Sequence, residues 1–92
     1  MTHTTTVTLA PAEVLARAKT YFAERLPHHA AFPEKEGPQF VVLRGQGGEE
    51  VVIHASPGEG ETTRVRASTL FFDQAVDRFL STLPLAGSVE VA

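Results

Sequence analysis

The stretch from Glu49 to Leu83 constrains this chain more than any other. It opens on an alternating run, Glu50-Val51-Val52-Ile53-His54-Ala55, and passes through a Pro57-Gly58-Glu59-Gly60 turn into a second alternating run from Thr62 to Ser68. A period of two marks half-buried strands, and a glycine-bearing turn between two such runs marks an antiparallel hairpin. The period then changes. Phe72, Val76, Phe79 and Leu83 recur at spacings of four, three and four, with Ala75 and Leu80 flanking, which is one face of a helix. Strand, turn, strand, helix is therefore written into this segment, and the remaining residues have to pack on it.

Upstream, Phe40-Val41-Val42-Leu43 is a short apolar run ended by Gly45-Gln46-Gly47-Gly48, a further strand leading into a flexible hairpin turn. The three strands form a meander. Alternation sends Val51, Ile53, Ala55, Val65 and Ala67 to one face, and Val52, His54, Ser56, Arg64, Arg66 and Ser68 to the other. Pro11 fits the first turn of an earlier helix, where a missing N–H costs nothing, and Val14, Leu15, Ala18, Tyr21, Phe22 and Leu26 make a single apolar stripe ended by Pro27. Ahead of it, Thr5, Val7 and Leu9 alternate with Thr4, Thr6 and Thr8, a β-branched pattern that suits a strand. Ser68 or Thr69 is placed to cap the last helix, and Pro84 stops it.

Two segments read as irregular. Residues 27–38 hold three prolines, a glycine, two histidines and Glu34-Lys35-Glu36, with Phe32 as their only large apolar residue, which predicts a long loop anchored by that ring. Leu85 to Ala92 is a short C-terminal tail or, through Val89 and Val91, an edge strand. The expected fold is thus α+β in the order β-α-β-β-β-α, an antiparallel sheet of three to four strands with two helices on one face. The N-terminal strand is expected beside the third meander strand. Residues 1–84 form one domain, since a chain of 92 residues supports one modest core that buries roughly 60–65% of its unfolded surface.

Composition narrows the functional classes. Without cysteine there is no disulfide framework, thiolate metal site or thiol nucleophile. The N-terminus lacks the basic and apolar regions of a secretory leader, and no apolar run approaches the ~20 residues that span a bilayer, so the cytoplasm is the default compartment and no membrane role is expected. A net charge of −3 gives no general attraction for phosphate polymers. Adjacent His28 and His29 diverge on any regular element, and neither His-Glu-x-x-His nor a three-histidine spacing occurs, so no metal is expected. There is no Gly-x-Ser-x-Gly elbow, no glycine-rich loop opening a helix, and no obvious carboxylate pair, so neither an enzyme nor a cofactor is expected. Both glycine clusters join strand to strand. Asp73, Asp77, Glu59 and Glu61 read as solvated charges.

Two family resemblances bear on function. Helix, three strands, helix is also the element order of the double-stranded-RNA-binding domain, a family with a lysine cluster at the start of its last helix. The equivalent stretch here, Leu70-Phe71-Phe72-Asp73-Gln74, holds no cation, and Arg64 with Arg66 is left as a weak basic patch. Nucleic acid is therefore disfavoured. A strand, then Ala10-Pro11-Ala12-Glu13-Val14 opening a helix, a meander, and a closing helix with Leu70, Phe71, Phe72, Ala75, Val76, Phe79 and Leu80 resembles a shortened helix-grip protein of the Bet v 1 and polyketide-cyclase group. That resemblance implies a hydrophobic small molecule held between the sheet and the last helix. The residues themselves point first to a non-enzymatic interaction domain, a homo-oligomer or a binder of another protein. Its open sheet face would carry Val52, His54, Arg64 and Arg66, with Phe40 or Val42 beside them.

Overall fold

The structure is a computed structural model that describes residues 2–24, 30–70, 72–84 and 90–91, the last two by their backbone. Its elements are β1 (Thr2–Val7), α1 (Pro11–Ala23), β2 (Ala31–Gly37), β3 (Phe40–Gly45), β4 (Glu50–Pro57), β5 (Thr63–Thr69), α2 (Asp73–Ser81) and β6 (Glu90–Val91). They form an α+β fold with one antiparallel sheet in the order β2-β3-β4-β5-β1-β6. The N-terminal strand lies against β5, the third strand of the expected meander, with Thr5 opposite Val65.

The strand count is corrected upward. Where a long loop is expected within 27–38, Ala31–Gly37 instead pairs with β3. The reason it escapes alternation is physical. β2 is an edge strand whose register shifts between Pro33 and Lys35, and from Phe32 to Glu36 every residue is exposed. Proline is tolerated at an edge or a bulge, where the missing N–H breaks no ladder bond, and charges plus a bulge keep such an edge from pairing with other chains. The prolines that suggest a loop are thus compatible with this one position in a sheet. Phe32, expected to anchor a long loop, instead stands on the edge strand and is 50% exposed. At the opposite side, β6 adds a two-residue strand to β1, His3 facing Val91 and Thr4 facing Glu90.

Both helices cover the same face. The core joins Val14, Leu15, Ala18 and Phe22 of α1 and Ala75, Val76, Phe79 and Leu80 of α2 to Val7, Val41, Leu43, Val51, Ile53, Ala55, Val65 and Ala67 of the strands. α1 lies over β2, β3 and β4, while α2 lies over β1 and β5. Where they meet, the Phe79 ring sits 5.4 Å from Tyr21 and 5.8 Å from Phe22. Such tilted aromatic contacts contribute about 0.5–1.5 kcal/mol beyond the area they bury. The last helix starts later than the cap expectation implies: Thr69 Oγ1 accepts a 3.2 Å bond from the Phe72 N–H, so its oxygen orders the connection, and the helix proper begins at Asp73. At α1, Leu26 and Pro27 lie outside the described residues; the helix is described to Ala23. Turn glycines fall where the backbone needs them, with Gly48 and Gly60 at positive φ in the β3–β4 and β4–β5 hairpins.

Candidate functional site: the uncovered sheet face

The face away from the helices is ordered by register. One row runs Lys35, Val42, Val52, Ser68, Thr2 from β2 to β1, and the next runs Gly37, Phe40, His54, Arg66, Thr4. A third places Ser56, Arg64 and Thr6 side by side. At the other end Phe32 opposes Arg44, which opposes Glu50. Directly opposed side chains in an antiparallel pair stand ~4.5–5.5 Å apart at Cβ, so neighbours within each row are in reach of one another.

All four residues singled out from the sequence, Val52, His54, Arg64 and Arg66, lie on this face, on the adjacent strands β4 and β5. His54, Arg64 and Arg66 are exposed and Val52 is half-buried. The face divides in two. Its β3–β4 half carries the apolar strip Phe40, Val42 and Val52, each half-buried, and Phe32 lies beyond it on the edge strand. Its β5–β1 half carries hydroxyls and cations, with Thr2 and Ser68 bonded across the strands at 3.2 Å.

One charged cluster here is invisible to sequence reasoning. Arg44 binds Glu34 through Nε and Nη2 at 3.0 and 2.9 Å, reaches Glu50 at 3.1 Å, and donates to the Gly48 carbonyl at 3.1 Å. The paired hydrogen bond from Arg44 holds the Glu34 carboxyl below its ordinary range and raises the guanidinium of Arg44 in turn. Glu34 and Arg44 are neighbours only because β2 is a strand, so nothing in their spacing announces the pair.

A second polar pair sits on the covered face. His3 is 3% exposed, and its Nε2 lies 3.2 Å from Asp73 Oδ1 at the first residue of α2. Burial pushes the Asp73 carboxyl up, but its hydrogen bonds, His3 foremost, pull it down by more, so it titrates below the usual aspartate range. His3 Nδ1 and the neighbouring Thr5 Oγ1 are buried with no hydrogen-bond partner.

Three surface concavities accompany these features. One of about 410 Å³ lies between Arg44 and Leu70, one of about 470 Å³ covers the Arg64 and Arg66 region, and one of about 390 Å³ lies outside Tyr21 and Phe79 between the helices. Under α2 the space facing the sheet is taken up by Val76, Phe79 and Leu80, all fully buried. Among the described residues no three His, Asp or Glu side chains converge to hold a metal, and no helix is long and apolar enough to cross a membrane. His28 and His29 lie outside the described residues. No protein-family model matches the chain, and no curated protein or solved structure was found to match it.

Proposed function

We propose that this chain is a non-enzymatic interaction domain that self-associates through its uncovered sheet face, a second copy seating on the strip formed by Phe40, Val42 and Val52. The observation that carries this reading is the strip itself: three large apolar side chains, contiguous in the register of β3 and β4, on the side of the sheet that neither helix covers. In a twofold contact each copy supplies the cover for the other, so Val42 and Val52 close on their own counterparts near the axis. Phe32, half exposed on the neighbouring strand, extends the contact outward. The strip is small beside the ~800 Å² per partner of a standard interface, so the association is weak and concentration-dependent.

Sedimentation velocity from micromolar to high micromolar protein checks this. A dimer that accumulates with concentration and disappears in Val52→Glu is the expected outcome. A monomer throughout, indifferent to that substitution, removes the proposal.

A further inference from the structure

Beyond self-association, and without requiring it, the geometry points to a small-oxyanion site on the other half of the same face: we propose that the basin over β4, β5 and β1 binds the phosphate group of a small phosphomonoester through Arg64 and Arg66. Several observations converge on it. The register sets Thr4, Arg66 and His54 in one row and Thr6, Arg64 and Ser56 in the next, so the two guanidinium groups rise from one face of one strand, two residues apart. Donors of other kinds surround them. The hydroxyls of Thr4 and Ser56 and the imidazole of His54 border the same concavity, whose volume of about 470 Å³ exceeds what a bare phosphate fills and falls within the ~300–1,000 Å³ of small-molecule sites.

The pattern of ion pairing sharpens the point. Arg44 has two carboxylate partners, Glu34 and Glu50, and Lys19 of α1 has one, Glu36 at 2.8 Å. Among the described residues Arg64 and Arg66 have none; Arg17, Lys35 and Arg78 have none either, but Arg64 and Arg66 stand two residues apart on one face of β5. In a chain of net charge −3 two cations side by side with no counter-charge are unusual, and their mutual repulsion is relieved by an anion between them. Arginine forks match tetrahedral phosphate oxygens in paired hydrogen bonds, which a lysine pair would not do as well.

The occupant is a single phosphate group and not a nucleic-acid backbone because the cationic area is bounded by acid. Glu59 and Glu61 lie in the β4–β5 hairpin just past Ser56 and Arg64, and Glu50 with Glu34 lies at the far end of the face. A polyanion following the sheet in either direction meets carboxylates, whereas one phosphate does not. The organic part of such a ligand would extend towards Phe40, which stands opposite His54 at the margin of the basin.

The test is a titration of the full chain, followed through its amide and arginine side-chain N–H resonances, with inorganic phosphate, phenyl phosphate, a single-stranded oligonucleotide, and sodium chloride at matched ionic strength. Saturable shifts confined to β4, β5 and β1, with phenyl phosphate tighter than inorganic phosphate and both weakened at least tenfold in the Arg64→Gln/Arg66→Gln double variant, are the expected result. Both arginines are solvent-facing, and the urea midpoint of the variant verifies its fold; each single Gln variant should weaken binding by an intermediate factor. Shifts that chloride reproduces, or that survive in a folded double variant, overturn the proposal. An oligonucleotide binding more tightly than either phosphate overturns the choice of ligand. Sedimentation of the same samples reports self-association separately, so phosphate binding by a monomer leaves the oxyanion site standing while the self-association reading falls, and a dimer that shows no saturable phosphate shifts does the reverse.

Discussion

Ile53 and His54 are consecutive on β4, yet one is fully buried beneath the helical layer, where α1 covers β4, and the other is exposed. The same contrast holds all along the middle strands. On the covered face the side chains are sealed and mostly aliphatic, with His3, Thr5, Thr63 and Thr69 the buried polar exceptions; on the uncovered face a single apolar strip borders a field of threonines, serines and arginines. The two faces are therefore under different physical demands. The inner one supplies the burial that holds the fold, and the outer one is left with its chemistry exposed. If this division is correct, substitutions should sort by face in the size of their effect on stability.

The largest loss should come from the inner face. Phe79→Ala empties the junction of α2 with Tyr21 and Phe22, and a buried Phe→Ala substitution costs about 3–5 kcal/mol, a large share of the stability of a domain this size. Urea unfolding should show the midpoint falling accordingly, and a drop under 1 kcal/mol would mean the junction is not packed as described. A change in the other direction sharpens the picture at β1. Thr5→Val replaces a buried hydroxyl that has no partner with a methyl group of nearly the same shape, so it should raise stability by about 1 kcal/mol.

Asp73 tests the link between β1 and α2. Its carboxyl is held below its ordinary range in the folded chain, so the stability it contributes is present above the unfolded value of about 3.9 and is lost as pH falls through the lower folded value. Asp73→Asn should therefore be less stable than the parent at neutral pH, the gap closing as pH drops below about 4. A gap that stays constant from neutral to acid would mean the charge is not what matters. The smallest effect belongs to the outer face. Val52→Glu, the variant expected to abolish association, should lower the unfolding free energy of the monomer, measured in urea, by under about 1 kcal/mol, since Val52 is only half-buried. A larger loss would show that this strip belongs to the fold and not to an interface.

Much of this division is legible in the sequence, and the parts that are not have specific causes. Period-two alternation identifies β3, β4 and β5 together with the residues each sends to either face, and Pro11 and the apolar spacing of Val14, Leu15, Ala18 and Phe22 identify α1. Alternation even places Val52, His54, Arg64 and Arg66 on one face before any pairing is known. It fails at β2 because a bulged, charged edge strand has only Ala31 to bury, leaving no alternation to detect. From that miss follow the others: Phe32 as an outward aromatic, and the contact of Arg44 with Glu34, which depends on a strand pairing. The bond of His3 to Asp73 joins residues seventy positions apart, and no local pattern encodes it.

The position of β1 has a consequence for how the molecule comes into being. Its main partner is β5, and the two are among the most distant segments in the chain, with Thr2 opposite Ser68. During synthesis β1 must wait, without this neighbour, until the chain has grown from Val7 to Thr63 and beyond, so the β2–β5 hairpins can pair first and the β1–β5 closure comes late. A nascent chain stalled before residue 63 would leave β1 searching for a neighbour, and at that stage its threonine-rich edge is open to whatever strand it meets first.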